Sequence, residues 1–235
     1  MLRKLRQKIE FILPSFAYVP LILVVATNCL AYYATKLFMA NATHYDLSIV
    51  LDDWMPLTTW FISFYILAYV QWFWNYTFHV RISREICYRI VVADVIAKLL
   101  CLVCFIVIPT EIARPEITGN GIWEWLTRFI YSTDTPRNLF PSIHVLESYI
   151  CFRAAFMVKK APRWYIPFQL VFTVFVCLSI VYVKQHYFVD ILGGIAVVEI
   201  GWFLSNKCGA WRLLEKIELP FIRRKYAASD LEQTK

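Results

Sequence analysis

The sequence predicts an all-α integral membrane protein with six transmembrane helices and both termini in the cytoplasm. Three observations carry that expectation. Of the 235 residues, 60% are hydrophobic and 17% charged, and the mean hydropathy is +0.54, an apolar excess beyond that of a soluble domain. Apolar runs near the roughly 20 residues that a spanning helix needs recur along the chain, joined by polar connections. The period-2 alternation of barrel strands is absent, which leaves helices as the way to satisfy the backbone in lipid.

The expected spans are 14–38, 56–78, 88–108, 143–158, 165–184 and 187–206. The first follows Arg3, Lys4, Arg6 and Lys8, as a cleaved signal peptide would. Its run of about 25 residues exceeds the roughly 7–15 of a signal peptide's apolar region, and no small-x-small cleavage site closes it, so it reads as a retained helix. Trp54, Trp60, Trp72, Trp74, Trp123 and Trp125 fall near span ends and read as interfacial belts; His44 and His79 read as interfacial too. In the third span Asp94 and Lys98, four apart, form a mutually neutralising pair, and in the fourth Glu147 has His144 or Arg153 as its partner. The seven cysteines lie mostly within apolar runs and read as small buried residues. Past Lys207, Trp211, Leu213, Leu214, Ile217 and Leu219 alternate with basic residues, as in an amphipathic segment on the inner leaflet. The whole chain, 1–235, is expected to be one membrane domain, with a basic N-terminus (1–13), an outer active-site loop (109–142) and a basic amphipathic tail (207–235).

The net charge of +7 does not imply nucleic acid, because no basic stripe interleaved with aromatics stands outside the apolar runs. Topology explains it better. Of 24 Lys and Arg, 17 fall in alternate connections, which by the positive-inside rule puts those connections in the cytoplasm and 39–56, 109–142 and 184–187 on the outer face.

Three polar clusters interrupt the apolar background: Pro109 to Pro115, Asn138 to His144, and Lys184 to Asp190. The span order brings all three to the outer face. His186 and Asp190 are four apart, so at a helix start they share a face, and the carboxylate fixes the imidazole tautomer. The other ring nitrogen is then available to attack phosphorus. His144 is the candidate proton donor to the leaving oxygen. Arg114 and Lys184 supply cations, and Ser142 and Asn138 supply hydrogen bonds to phosphate oxygens. No cluster has metal-ligand spacing, so no metal or other cofactor is expected.

At these residues the chain resembles the type 2 phosphatidic acid phosphatase superfamily of six-helix membrane enzymes. The resemblance covers roughly 95–200. It implies that His186 is the nucleophile, Asp190 its partner and His144 the general acid, with Arg114-Pro115 and Pro141-Ser142 matching two further motif pairs. Three positions depart from the pattern: Val107 replaces a motif Lys, Ile143 a Gly and Ile180 an Arg, while Ser179 is kept. The stretch from His186 to Asp190, followed by Gly193-Gly194, is also similar to inositol phosphorylceramide synthases.

The resulting expectation is a lipid phosphatase hydrolysing a phosphomonoester or diphosphate lipid through a phosphohistidine at the outer membrane face. Its partner is the lipid phosphate substrate and not nucleic acid, and its expected location is a bacterial plasma membrane. Two alternatives stand beside it: a lipid head-group phosphotransferase, and a non-catalytic membrane scaffold or transporter. The sequence leaves the oligomeric state open.

Overall fold

The computed structural model describes residues 13–39 and 41–218, with Glu10, Pro220, Ile222 and Tyr226. Arg3, Lys4, Arg6 and Lys8 of the basic N-terminus, and Leu219 and most of the tail beyond it, lie outside the described residues. The described residues form helices α1 (Tyr18–Cys29), α2 (Thr35–Phe38), α3 (Val50–Trp54), α4 (Ile62–His79), α5 (Arg84–Val107), α6 (Ile122–Thr133), α7 (Ile143–Ala155), α8 (Tyr165–Tyr182), α9 (Phe188–Asn206) and α10 (Arg212–Ile217). A π turn, Leu30–Ala34, joins α1 to α2.

The all-α expectation stands, but among the described residues six spans become four. Ser15–Ala34, Arg84–Val107, Tyr165–Tyr182 and Phe188–Asn206 have the length and apolarity to cross a membrane. The expected span 56–78 corresponds to α4, which is 18 residues long but too polar, with Gln71, Asn75 and His79 buried on its inner face. The expected span 143–158 corresponds to α7, whose 13 residues reach about 20 Å, short of the roughly 30 Å hydrocarbon layer. The charge argument that put both termini in the cytoplasm assumed six crossings, so that assignment falls with the count.

Helix α7 is short because it is the core of the bundle. It packs against α4, α5, α8 and α9, and nine of its residues are buried. Small residues let the neighbours close on it: a Cβ on Gly194 would come within 2.9 Å of the Ser142 carbonyl. A Cβ on Gly201 would come within 2.4 Å of the Ala93 carbonyl, where α9 lies against α5, a close-contact device familiar between membrane helices.

Lys98 ties three elements together. Its Nζ lies 2.8 Å from Asp94 Oδ2 and 2.6 Å from Glu147 Oε1, and it donates to the Val24 carbonyl at 3.4 Å. The Tyr76 hydroxyl donates to Glu147 Oε2 at 3.1 Å, and Arg153 pairs instead with Glu199 at 3.1 Å. Thus Glu147 joins the Asp94–Lys98 pair and partners neither His144 nor Arg153. His79 is also not interfacial: it is buried, with Nδ1 2.7 Å from the Asn75 carbonyl. The start of the tail folds back on α1 and α5, with Trp211 and Leu214 buried beside Phe16 and Tyr88 and Glu218 2.8 Å from Arg84.

Candidate active site

The site lies where α5 ends and α7 and α9 begin, and the backbone between these helices is pinned by a few bonds. Tyr45 N donates to the Pro109 carbonyl (2.8 Å), Asn138 N to Thr110 O (2.8 Å) and Ile112 N to Pro136 O (3.0 Å). The buried Thr110 hydroxyl accepts from Leu139 N and Phe140 N at 2.8 and 3.1 Å. The segment 109–142, expected as a loop, therefore holds a 12-residue helix, α6, with the backbone on both sides of it pinned by these bonds.

At the start of α9, Asp190 is fully buried. Its Oδ2 accepts from Tyr187 N at 3.0 Å and lies 3.0 Å from His186 Nδ1. Asp52 also caps this helix start, its Oδ1 accepting from Phe188 N at 2.8 Å, so two carboxylates sit at the positive end of the helix dipole. With Nδ1 also 3.1 Å from the Leu139 carbonyl, two acceptors hold the Nδ1–H tautomer, and Nε2 keeps its lone pair.

His144 stands on the first turn of α7. Its ring centroid is 6.3 Å from that of His186. Tyr65 stacks on it at 4.0 Å, and Trp72 and Tyr69 approach at 5.2 and 5.5 Å. Burial pushes the His144 imidazole well below its ordinary pKa, and the neighbouring His186 adds in the same direction. Trp72 is thus a wall of the site, not a belt residue, and its Nε1 donates to Ser148 Oγ at 2.9 Å.

The two histidines border a cavity of about 260 Å³, lined also by Tyr32, Tyr65, Tyr69, Trp72, Asp134, Asn138 and Gln185. Several buried polar atoms there lack partners among the described residues: His144 Nε2, Gln185 Nε2 and Asn138 Oδ1. Unpaired buried polar groups are uncommon enough to call for a ligand or water.

The remaining sequence candidates divide. Asn138 reaches the cavity from a left-handed backbone conformation (φ 58°), its Nδ2 donating to Thr35 Oγ1 at 3.1 Å. Arg114 stands behind the wall. Its Nη1 donates to the carbonyls of Asp134 and Tyr131 at 2.8 and 3.2 Å and its Nη2 to Gln185 Oε1, with Tyr131 stacked at 4.7 Å; desolvation lowers its pKa. Ser142 caps α7, its Oγ accepting from Val145 N at 3.4 Å, and does not line the cavity. Lys184 turns away, its Nζ donating to the Asp52 carbonyl at 2.9 Å.

Sequence reasoning missed Gln185, Asp134, Tyr32, Tyr65 and Tyr69 as site residues. Gln185, between two named candidates, had a signal: a polar residue inside a cluster otherwise assigned. The tyrosines had none, since they lie in α4 and the π turn, far away in sequence. Among the described residues no group of three or more His, Cys, Asp and Glu is arranged to hold a metal ion.

Residues 110–213 match the family model described as the PAP2 superfamily. No curated protein and no solved structure matches the chain.

Proposed function

Residues 110–213 are a PAP2 superfamily domain, a lipid-phosphatase domain carried by a membrane-embedded all-α chain, and from that premise we propose that the protein cleaves a lipid phosphate ester through a phosphohistidine at His186. The observation that carries this reading is the Asp190–His186 pair facing His144 across a cavity where several buried polar atoms lack partners among the described residues.

In the first half-reaction His186 Nε2 attacks phosphorus, the bond to the lipid oxygen breaks, and His144 gives that oxygen its proton. Asp190 stabilises the positive imidazole that forms. Gln185 and Asn138 bond the equatorial oxygens, with the Arg114 charge behind Gln185. In the second half-reaction water, losing its proton to His144, attacks phosphorus, the P–N bond breaks and phosphate leaves. A lipid hydroxyl in place of water would make the same machinery a head-group transferase.

The depressed His144 pKa agrees with this cycle: the ring takes up its proton together with an anionic substrate, which raises its pKa again. The site opens on the face away from the cytoplasm. Supporting this, the far ends of the helices carry Arg81, Arg84, Arg89, Lys159, Lys160, Arg163, Lys207 and Arg212, the charge pattern of a cytoplasmic surface.

The test is release of phosphate or head group from defined lipids by the purified protein, beside His186→Ala. Turnover that falls at least about 10³-fold in the variant supports the reading; turnover that survives the substitution sinks it.

A further inference from the structure

The chemistry just proposed leaves unexplained why the cavity beside the two histidines is walled by aromatic rings and a carboxylate. Tyr32, Tyr65, Tyr69 and Trp72 line it, and so does Asp134. Both Asp134 oxygens are oriented by tyrosine hydroxyls, Oδ1 by Tyr32 at 2.9 Å and Oδ2 by Tyr65 at 3.4 Å. A carboxylate there repels a doubly charged phosphate. The cations nearby offset it only in part: the Lys184 amine is held outside by Asp52, the Arg114 guanidinium bonds carbonyl oxygens behind the wall, and Arg137, which does line the cavity, is paired with Glu111 at 3.5 Å.

Tyrosine and tryptophan faces together with a carboxylate are instead the surroundings that hold a desolvated alkylammonium group. From this juxtaposition we infer that the cavity is a recognition site for the ammonium end of a zwitterionic phosphodiester head group, of the phosphocholine or phosphoethanolamine kind. The inference rests on the proposed phosphoryl chemistry and names its substrate class.

The arrangement suits such a ligand in charge and in reach. A phosphodiester carries one negative charge, a smaller demand than a monoester makes on a site whose lining sets Asp134 beside Arg137, with the Arg114 guanidinium behind the wall. Tyr65, Tyr69 and Trp72 all have ring centroids within 5.5 Å of the His144 ring. A phosphorus between the two histidines therefore leaves an ammonium group, one two-carbon bridge away, among those rings.

The local backbone is adapted as well. Tyr32 stands in the π turn that interrupts the first span, and such turns re-aim side chains at functional sites. Tyr69 is half exposed on the outside of the bundle, so the aromatic wall continues to the lipid-facing surface from which a phospholipid enters. The volume of about 260 Å³ takes a head group and leaves the acyl chains outside.

Binding to full-length His186→Ala protein in detergent, followed by calorimetry and by tryptophan fluorescence, separates recognition from turnover. Glycerophosphocholine should bind about tenfold more tightly than glycerophosphoglycerol or glycerophosphoinositol, phosphodiesters of the same single phosphate charge, and choline alone should compete with it. Asp134→Asn and, separately, Tyr69→Ala in the same background should each remove most of that preference, while inorganic phosphate binds no more weakly to Asp134→Asn than before. Glycerophosphocholine binding no tighter than glycerophosphoglycerol, including no binding of either, overturns the inference, as does tighter binding of glycerophosphoinositol. The preference without any turnover of choline or ethanolamine lipids by the unsubstituted protein would leave the recognition site standing and reject the phosphohistidine chemistry. Turnover of lipid phosphomonoesters without the preference would do the reverse.

Discussion

His186 illustrates how a few contacts decide a side chain's chemistry. In the proposed reaction its ring is the nucleophile, because Asp190 and the Leu139 carbonyl hold the proton on Nδ1 and leave the Nε2 lone pair free. Lys184 and Gln185, two and one residues before it, have opposite fates: the lysine amine leaves the site for Asp52, and the glutamine, which lines the cavity, has its Nε2 without a partner among the described residues. Gln185→Leu should therefore lower turnover by about 10–100-fold, the scale of losing one donor to developing charge. Lys184→Met should change turnover less than about threefold while costing about 1 kcal/mol of stability from one lost hydrogen bond. Steady-state kinetics beside thermal unfolding of both variants checks the pair. His144 gives a pH prediction. Its pKa is depressed in the free site by burial and by His186, and a bound anion raises it, so between the two values binding takes up a proton and affinity falls as pH rises. Calorimetry of sulfate binding in two buffers of different ionisation enthalpy should show that uptake, and His144→Gln should abolish it; sulfate avoids the titration of phosphate itself.

Helix α7 joins the site to the interior. It presents His144 at its first turn and, one turn later, Glu147 to Lys98, which Asp94 also holds. That cluster fixes α7 against α5 and, through the Val24 carbonyl, against α1. Breaking a buried ion pair by removing one member costs more than the pair contributes, because the remaining charge is left desolvated. Lys98→Met should destabilise the protein by about 3–5 kcal/mol. Adding Asp94→Asn and Glu147→Gln should recover most of the loss, as read from denaturation in detergent. A triple variant no more stable than Lys98→Met would show that the cluster's worth lies in packing rather than in charge.

For the whole molecule, α4, α5, α8 and α9 surround the short α7, so a polar site sits at one end of the bundle without being exposed along its length. The charges at the opposite end predict its orientation. In intact cells, Glu116→Cys at the site end should react with a membrane-impermeant maleimide and Lys159→Cys at the far end should not, in a background with the exposed Cys29 and Cys208 replaced. The opposite labelling pattern would reverse the proposed orientation.

The sequence by itself determined that the protein is helical and membrane-embedded, and it carried the resemblance and the residues His144, His186 and Asp190. Composition and local spacing suffice for these, because lipid leaves the backbone few options and residues four apart share a helix face. Apolarity alone, however, does not separate a helix buried in protein from one buried in lipid, so α7 passed for a span although it is the core of the bundle, and α4 passed although its inner face is polar. The routes of Lys184 and Arg114 away from the cavity, the meeting of Tyr32, Tyr65 and Asp134, and the third member of the Asp94–Lys98 cluster were decided by tertiary structure alone. Each depends on side chains tens of residues apart, whose meeting is set by helix packing and leaves no local periodicity to read.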